Sequence, residues 1–208
     1  MKKILTGMIA LAILVSSHTC FASEREKTYF VPEGLGSIHT YTNWDKVNWK
    51  YDCKKTIDAV SGRIGDSYGI VRYGDTFAGA MTSTFGKVGD VVLVVNEGGI
   101  VYPVTIADEK SQRYCAWDHN PANMWGHYNG KCIVEFEVLS KWKGQAYKNG
   151  SGGYINDIIN RNIYKVINIG SVLEDANCVN NEYIHEKARE HGLEGYTMLT
   201  DIVSGYII

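Results

Sequence analysis

Asp108 stands where an apolar run, Ile100 to Ala107, gives way to the polar Glu109-Lys110-Ser111-Gln112. A carboxylate at such a boundary ends a strand half desolvated and open to a ligand, and desolvation raises its pKa toward the range useful to a general acid. The position equally suits a carboxylate that only caps the turn through a side-chain hydrogen bond. General acid–base chemistry needs a second group to take or give a proton, and Asp75, Asp118, His119, His127 and Glu135 are the candidates. His127 lies between Trp125 and Tyr128, with Gly126 and Gly130 close by, so backbone freedom and aromatic surface coincide in that loop. Trp117, Trp125, Tyr128 and Tyr114 offer rings that could stack on a ligand or close a small core. Glu135 alternates onto the face opposite Phe136, where it either lines a groove or lies on a solvated strand face.

A thiol nucleophile is the competing chemistry, since Cys115, His119 and His127 are close in sequence. Compartment argues against it. Met1-Lys2-Lys3, the apolar run Ile4 to Val15 and Thr19-Cys20-Phe21-Ala22 read as the charged, apolar and small-residue parts of an export signal cleaved after Ala22. The apolar run is too short for a membrane span, which needs about 20 residues. Cys20 lacks the aliphatic and small neighbours of a lipidation site. Beyond residue 22, Cys53, Cys115, Cys132 and Cys178 form an even set in a compartment where disulfides persist. Of the three possible pairings, Cys115–Cys132 is expected because a bridge there would hold the Trp- and Gly-rich loop, and Cys53–Cys178 because each flanks the central region. No Cys-x-x-Cys or His-x-x-x-His spacing suggests zinc, so no metal or other cofactor is expected.

Loss of Lys2 and Lys3 with the leader takes the formal net charge from −2 to about −4. That balance points to neither nucleic acid nor anionic lipid as a partner, and no later apolar run is long enough for membrane insertion. The remaining chain of about 186 residues suits one decorated domain.

The elements that must position these groups read as mainly β. Val91 to Val95 is β-branched, Asn96-Glu97-Gly98-Gly99 supplies a turn, and Ile100 to Ala107 resumes the strand, predicting a hairpin. Cys132 to Val138 alternates, with Cys132, Val134, Phe136 and Val138 on one face. Nearly continuous apolar runs predict strands covered on both sides, as in a small barrel. Trp44, Val47 and Tyr51 have helical spacing, Tyr154 to Ile159 suits a helical turn, and Ile163 to Ile169 a strand. Glu182 to His191 is rich in helix formers, with Gly192 ready as the residue after its end. Gly195 opens a last extended piece running to Ile208.

The stretch Gly79-Ala80-Met81-Thr82-Ser83-Thr84-Phe85-Gly86-Lys87-Val88-Gly89-Asp90-Val91-Val92-Leu93-Val94, followed by Val104-Thr105-Ile106-Ala107-Asp108, resembles the double-psi β-barrel of expansins, family 45 endoglucanases and rare-lipoprotein-A-type lytic transglycosylases. The segment Trp125-Gly126-His127-Tyr128-Asn129-Gly130-Lys131-Cys132 is similar to secreted proteins of low-GC Gram-positive bacteria and their phages. The first resemblance implies an all-β core, a six-stranded double-psi-like barrel over residues 68–172, between an N-terminal wrap (23–67) and a C-terminal helical insertion with a final strand (173–208). It also implies action on peptidoglycan or another polysaccharide, with Asp108 as acid/base. Glu109-Lys110-Ser111-Gln112 replaces the Arg-Gly-Pro-like turn of those enzymes, and Thr82 stands near their upstream histidine. A non-catalytic wall-binding module, or an effector or inhibitor on a barrel scaffold, therefore stays beside the enzyme reading.

Overall fold

The computed structural model describes residues 26–44, 57, 58, 60–65, 69–110, 121–139 and 158–204. Among the described residues ten strands build one sheet: β1 (Lys27–Phe30), β2 (Thr40–Asn43), β3 (Arg63–Gly65), β4 (Val71–Tyr73), β5 (Thr76–Met81), β6 (Asp90–Asn96), β7 (Ile100–Glu109), β8 (Glu135–Val138), β9 (Ile163–Ser171) and β10 (Thr197–Met198). Two helices follow β9: α1 (Asn181–Glu190) and α2 (Leu199–Ser204).

The predicted hairpin is β6 and β7, paired antiparallel from Val91↔Thr105 to Val95↔Val101. Its turn is set by Asn96, whose Oδ1 accepts from the backbone N–H of Gly98 (2.9 Å) and Ile100 (3.1 Å). Such an Asx turn favours asparagine at this position, and Gly99 takes the left-handed φ of +76° that follows.

The sheet runs β1-β9-β6-β7-β5-β4-β3, with β10 added to β7 and β8 carrying β2 onto β5. Two of its contacts, β5 with β7 and β2 with β8, are parallel pairings between strands distant in sequence. The expected closed six-stranded barrel is replaced by an open, branched sheet among the described residues. The reason lies at β5: β7 takes one edge, while β4 and β8 share the other, β4 at Phe77 and Thr76 and β8 at Gly79 and Ala80. The path divides there instead of returning to its start. The small residues Ala78-Gly79-Ala80 permit this crowding; a Cβ on Gly79 would stand 3.0 Å from Val104 and 3.3 Å from Val134.

Both sides of the sheet are covered, as the apolar runs predicted. Val92 and Val94 of β6 enter one core with Phe77, Tyr102, Val104, Ile106, Phe136 and Val166. Val91, Leu93 and Val95 enter a second with Val101, Ile167, Ile169 and the α1 residues Ile184 and Ala188. Each such side chain, fully buried, contributes about 1.5–3 kcal/mol of transfer free energy.

Three expectations about the flanks change. Strand structure in the Cys132–Val138 run begins only at Glu135, and Ile133 and Val134 enter the same core, so alternation fails where the chain leaves the ladder. Before residue 68, β1, β2 and β3 lie in the sheet itself. At the C-terminus α1 ends as predicted, with Gly192 at φ +71°, but Leu199–Ser204 is helical where an extended piece was expected. Residues 205–208 lie outside the described residues.

Candidate functional site

The β5–β7 pairing carries an irregularity that places Asp108. Gly79 pairs with Ile106 but Ala80 pairs with Asp108, so Ala107 is an extra residue on β7. Bulges of this kind re-aim the side chains that follow. On the other edge of β5, Ala80 pairs with Glu135. Direct cross-strand partners put their side chains on the same face. Asp108 and Glu135 therefore flank the small Ala80 on one face, two strands apart, which is about 9.5 Å between Cα atoms. Both are partly exposed, whereas Ala80 is buried. Asp108 also shows the capping role held open for it, since its Oδ1 accepts from the Glu109 N–H at 2.9 Å.

The loop at 121–132 is braced from β5 and from within. Thr82 and Thr84 hydroxyls both donate to the Met124 carbonyl, at 2.8 and 2.6 Å. Thr82 is thus buried and braces the loop. Trp125 packs its ring 5.8 Å from that of Phe85 and is partly buried. Tyr128, by contrast, is 67% exposed and takes a φ of 57°, a left-handed conformation that costs an L residue roughly 1–2 kcal/mol. Asn129 shares that φ, and its N–H is held by Asn123 Oδ1 at 3.1 Å.

His127 and Cys132 exchange both backbone hydrogen bonds at 3.0 Å, which closes the turn between them. A Cβ on Gly126 would collide with the Cys132 carbonyl, so glycine is required there. That same carbonyl accepts from Lys110 Nζ at 2.8 Å. Lys110 Nζ also lies 3.2 Å from the Cys132 thiol, as does Thr40 Oγ1, and the thiol donates to the Val134 carbonyl at 3.4 Å. Lys110 and Cys132 are both buried.

Cys132 and Cys178 are free, buried thiols, so neither expected bridge is seen at these residues. Cys132 is instead enclosed by Lys110, Thr40 and Val134, and the Cys178 sulfur stands by the position a Gly170 Cβ would take. The expected partners Cys115 and Cys53 lie outside the described residues, as do Tyr114, Trp117, Asp118 and His119.

A second buried pair adjoins this cluster. The His39 backbone N–H donates to Asn160 Oδ1 (3.1 Å), and His39 Nδ1 reaches the same atom at 3.2 Å. That atom must be the acceptor, so Nδ1 carries the hydrogen and Nε2 accepts from the Tyr102 hydroxyl at 2.7 Å. Burial, reinforced by the Lys110 charge against the opposing Asn160 bond, pushes the His39 pKa down to about 3. Burial and then Lys110 push that of His127 down to about 4. Burial, with Cys132 adding to it, holds the Tyr102 phenol well above its usual value. Lys110 is therefore the cation that His39, His127 and Cys132 share.

Sequence alone gave Lys110 no weight, because a lysine in a polar turn is ordinarily solvated. The remaining candidate, Asp75, lies elsewhere and caps α1, its Oδ2 accepting from Asn181 N at 2.9 Å. Among the described residues no group of His, Cys, Asp and Glu is placed to hold a metal ion, and no helix is long and apolar enough to cross a membrane. No family model, curated protein or solved structure matches the chain.

Proposed function

We propose that this is an exported protein acting on peptidoglycan or a related polysaccharide, with Asp108 and Glu135 as its proton-transfer pair. The observation that carries the reading is the Asp108–Ala80–Glu135 register, which sets two partly exposed carboxylates on one face around a small residue. Inverting glycosidases hold their carboxyl groups about 6.5–9.5 Å apart to leave room for a water, and two strand spacings set the Cα atoms of Asp108 and Glu135 about 9.5 Å apart. In this reading Asp108 gives its proton to the linking oxygen and Glu135 takes one from the attacking hydroxyl. A double-psi-like curl of the sheet is part of the proposal. It is supported by the long-range parallel pairings of β5 with β7 and of β2 with β8, and by the single core that β2, β5, β6, β7, β8 and β9 share. Export rests on the leader residues 1–22, which lie outside the described residues.

Tyr128 favours the second reading, a non-catalytic wall-binding module, because a displayed aromatic ring in a braced loop suits sugar stacking. Release of muropeptides and retention on purified wall separate the two. Asp108→Asn and Glu135→Gln should each keep wall retention and lower release by about 10²–10⁴-fold. Wild-type release by both folded variants sinks the enzyme reading, and loss of retention in Tyr128→Ala then supports the binding module.

A further inference from the structure

We propose that Cys132 and Lys110 form a covalent cross-link when the protein meets hydrogen peroxide, a sulfenamide S–N bond tying the end of β7 to the turn before β8. The inference is independent of the polysaccharide reading. Nζ and Sγ lie 3.2 Å apart in a buried setting, within the distance of roughly 3–3.5 Å at which bound groups are poised to react. Lys110 is held there by its bond to the Cys132 carbonyl, at 2.8 Å, and by its own N–H, which donates to the Met81 carbonyl at 2.9 Å. The amine is thus fixed beside the sulfur and cannot swing into solvent.

The chemistry balances with one oxidant. Peroxide oxidises the thiol to a sulfenic acid as an S–O bond forms, the O–O bond breaks and one water leaves. The lysine ammonium releases a proton, and its nitrogen lone pair attacks sulfur. The S–N bond forms, the S–O bond breaks, and the departing oxygen takes a proton from nitrogen as a second water. A thiol, an ammonium and one peroxide thereby become a sulfenamide, two waters and one proton. Reducing thiols reverse the link by the same attack at sulfur. Burial selects the oxidant, because peroxide is uncharged and close to water in size while bulkier reagents are excluded. Among the described residues it also leaves the sulfenic acid with the Lys110 amine, at 3.2 Å, as its nearest nitrogen nucleophile, so the amine competes with further oxidation.

The full chain is reduced, treated while folded with hydrogen peroxide, alkylated after denaturation and digested with trypsin. Trypsin cuts after Lys131, which separates Cys132 from the peptide bearing Cys115. The expected product joins the Cys132 peptide to one uncut at Lys110, lighter than their sum by two hydrogens, and dithiothreitol abolishes it. Lys110→Arg keeps the positive charge and should leave no link, with Cys132 oxidised to sulfinic acid instead. The proposal is overturned if wild-type Cys132 is recovered as the alkylated thiol, as sulfinic or sulfonic acid alone, or joined to the Cys115 peptide. The wild-type digest decides even if Lys110→Arg does not fold.

Discussion

The two sides of the sheet differ in what fills them. The side beneath α1 packs Val91, Leu93, Val95, Ile167 and Ile169 against Ile184, Ala188 and Leu193, and its buried polar groups include Cys178 and Lys187, whose ammonium pairs with Glu26 at 2.7 Å. The opposite side places His39 and Tyr102 among its apolar side chains, with Lys110 and Cys132 buried beside them. Apolar packing needs only shape, whereas each buried polar group must find its partners or cost about 1–3 kcal/mol. Both sides carry that burden, the helix side through the pairing of Lys187 with Glu26 and the opposite side through the His39–Tyr102 bond and the Lys110–Cys132 contact.

The comparison is broken most severely at Phe136, whose ring stacks 5.7 Å from His39 and 6.0 Å from Tyr41 and meets Phe77 at 5.8 Å. Phe136→Ala is expected to lose about 3–5 kcal/mol in urea unfolding. Ile184→Ala on the helix side should lose about 2–5 kcal/mol while leaving the dependence on pH unchanged. An Ile184→Ala variant with an altered pH dependence would show that the two sides are not separable.

Acid should expose the polar side next. Between pH 6.5 and about 3 the unfolded chain protonates His39 and the folded protein does not. The unfolded state then binds more protons, so stability falls as pH falls through that window. From pH 7 to pH 4 the loss is on the order of 3 kcal/mol, and half-buried His127 adds a smaller, solvent-screened loss in the same direction. Urea midpoints for wild type and His39→Gln at the two pH values measure it; equal slopes in the two proteins would remove His39 as the cause.

Smaller effects sharpen the contrast at the edges. Asp75→Ala removes the carboxylate that holds Asn181 N and should lower stability by about 1 kcal/mol, read as a drop in Tm of a few degrees. Tyr128→Gly should raise Tm slightly, because glycine relieves a left-handed backbone worth roughly 1 kcal/mol. In the wall-binding reading the same change weakens retention on wall, so strain and stacking separate in a single variant.

The hairpin and α1 were legible because their signals are local: β-branched runs around Asn96-Glu97-Gly98-Gly99, and helix formers ending at Gly192. Asp108 and Glu135 were legible as candidates, but their relation through Ala80 depends on pairings that no periodicity encodes. His39 and Lys110 gave no signal, since burial of either is decided by Asn160, Tyr102 and Cys132, all distant in sequence. The disulfide expectation rested on an even cysteine count, which is silent about whether a lysine and a threonine enclose one of the thiols. Branching at β5 was equally hidden, because small residues announce close approach without saying which strands approach.

The parallel pairing of β2 with β8 also governs when the molecule becomes itself. Thr40 waits for a partner 92 residues later, Cys132, and for Glu135 just beyond it. Contacts of such span delay folding toward milliseconds to seconds, because loop entropy is lost before any contact compensates for it. Glu135 can join Asp108 only after β5, β6 and β7 have been made and β8 has arrived on β5. The candidate pair is therefore assembled late, and a nascent chain cut short of β8 carries Asp108 without the second carboxylate.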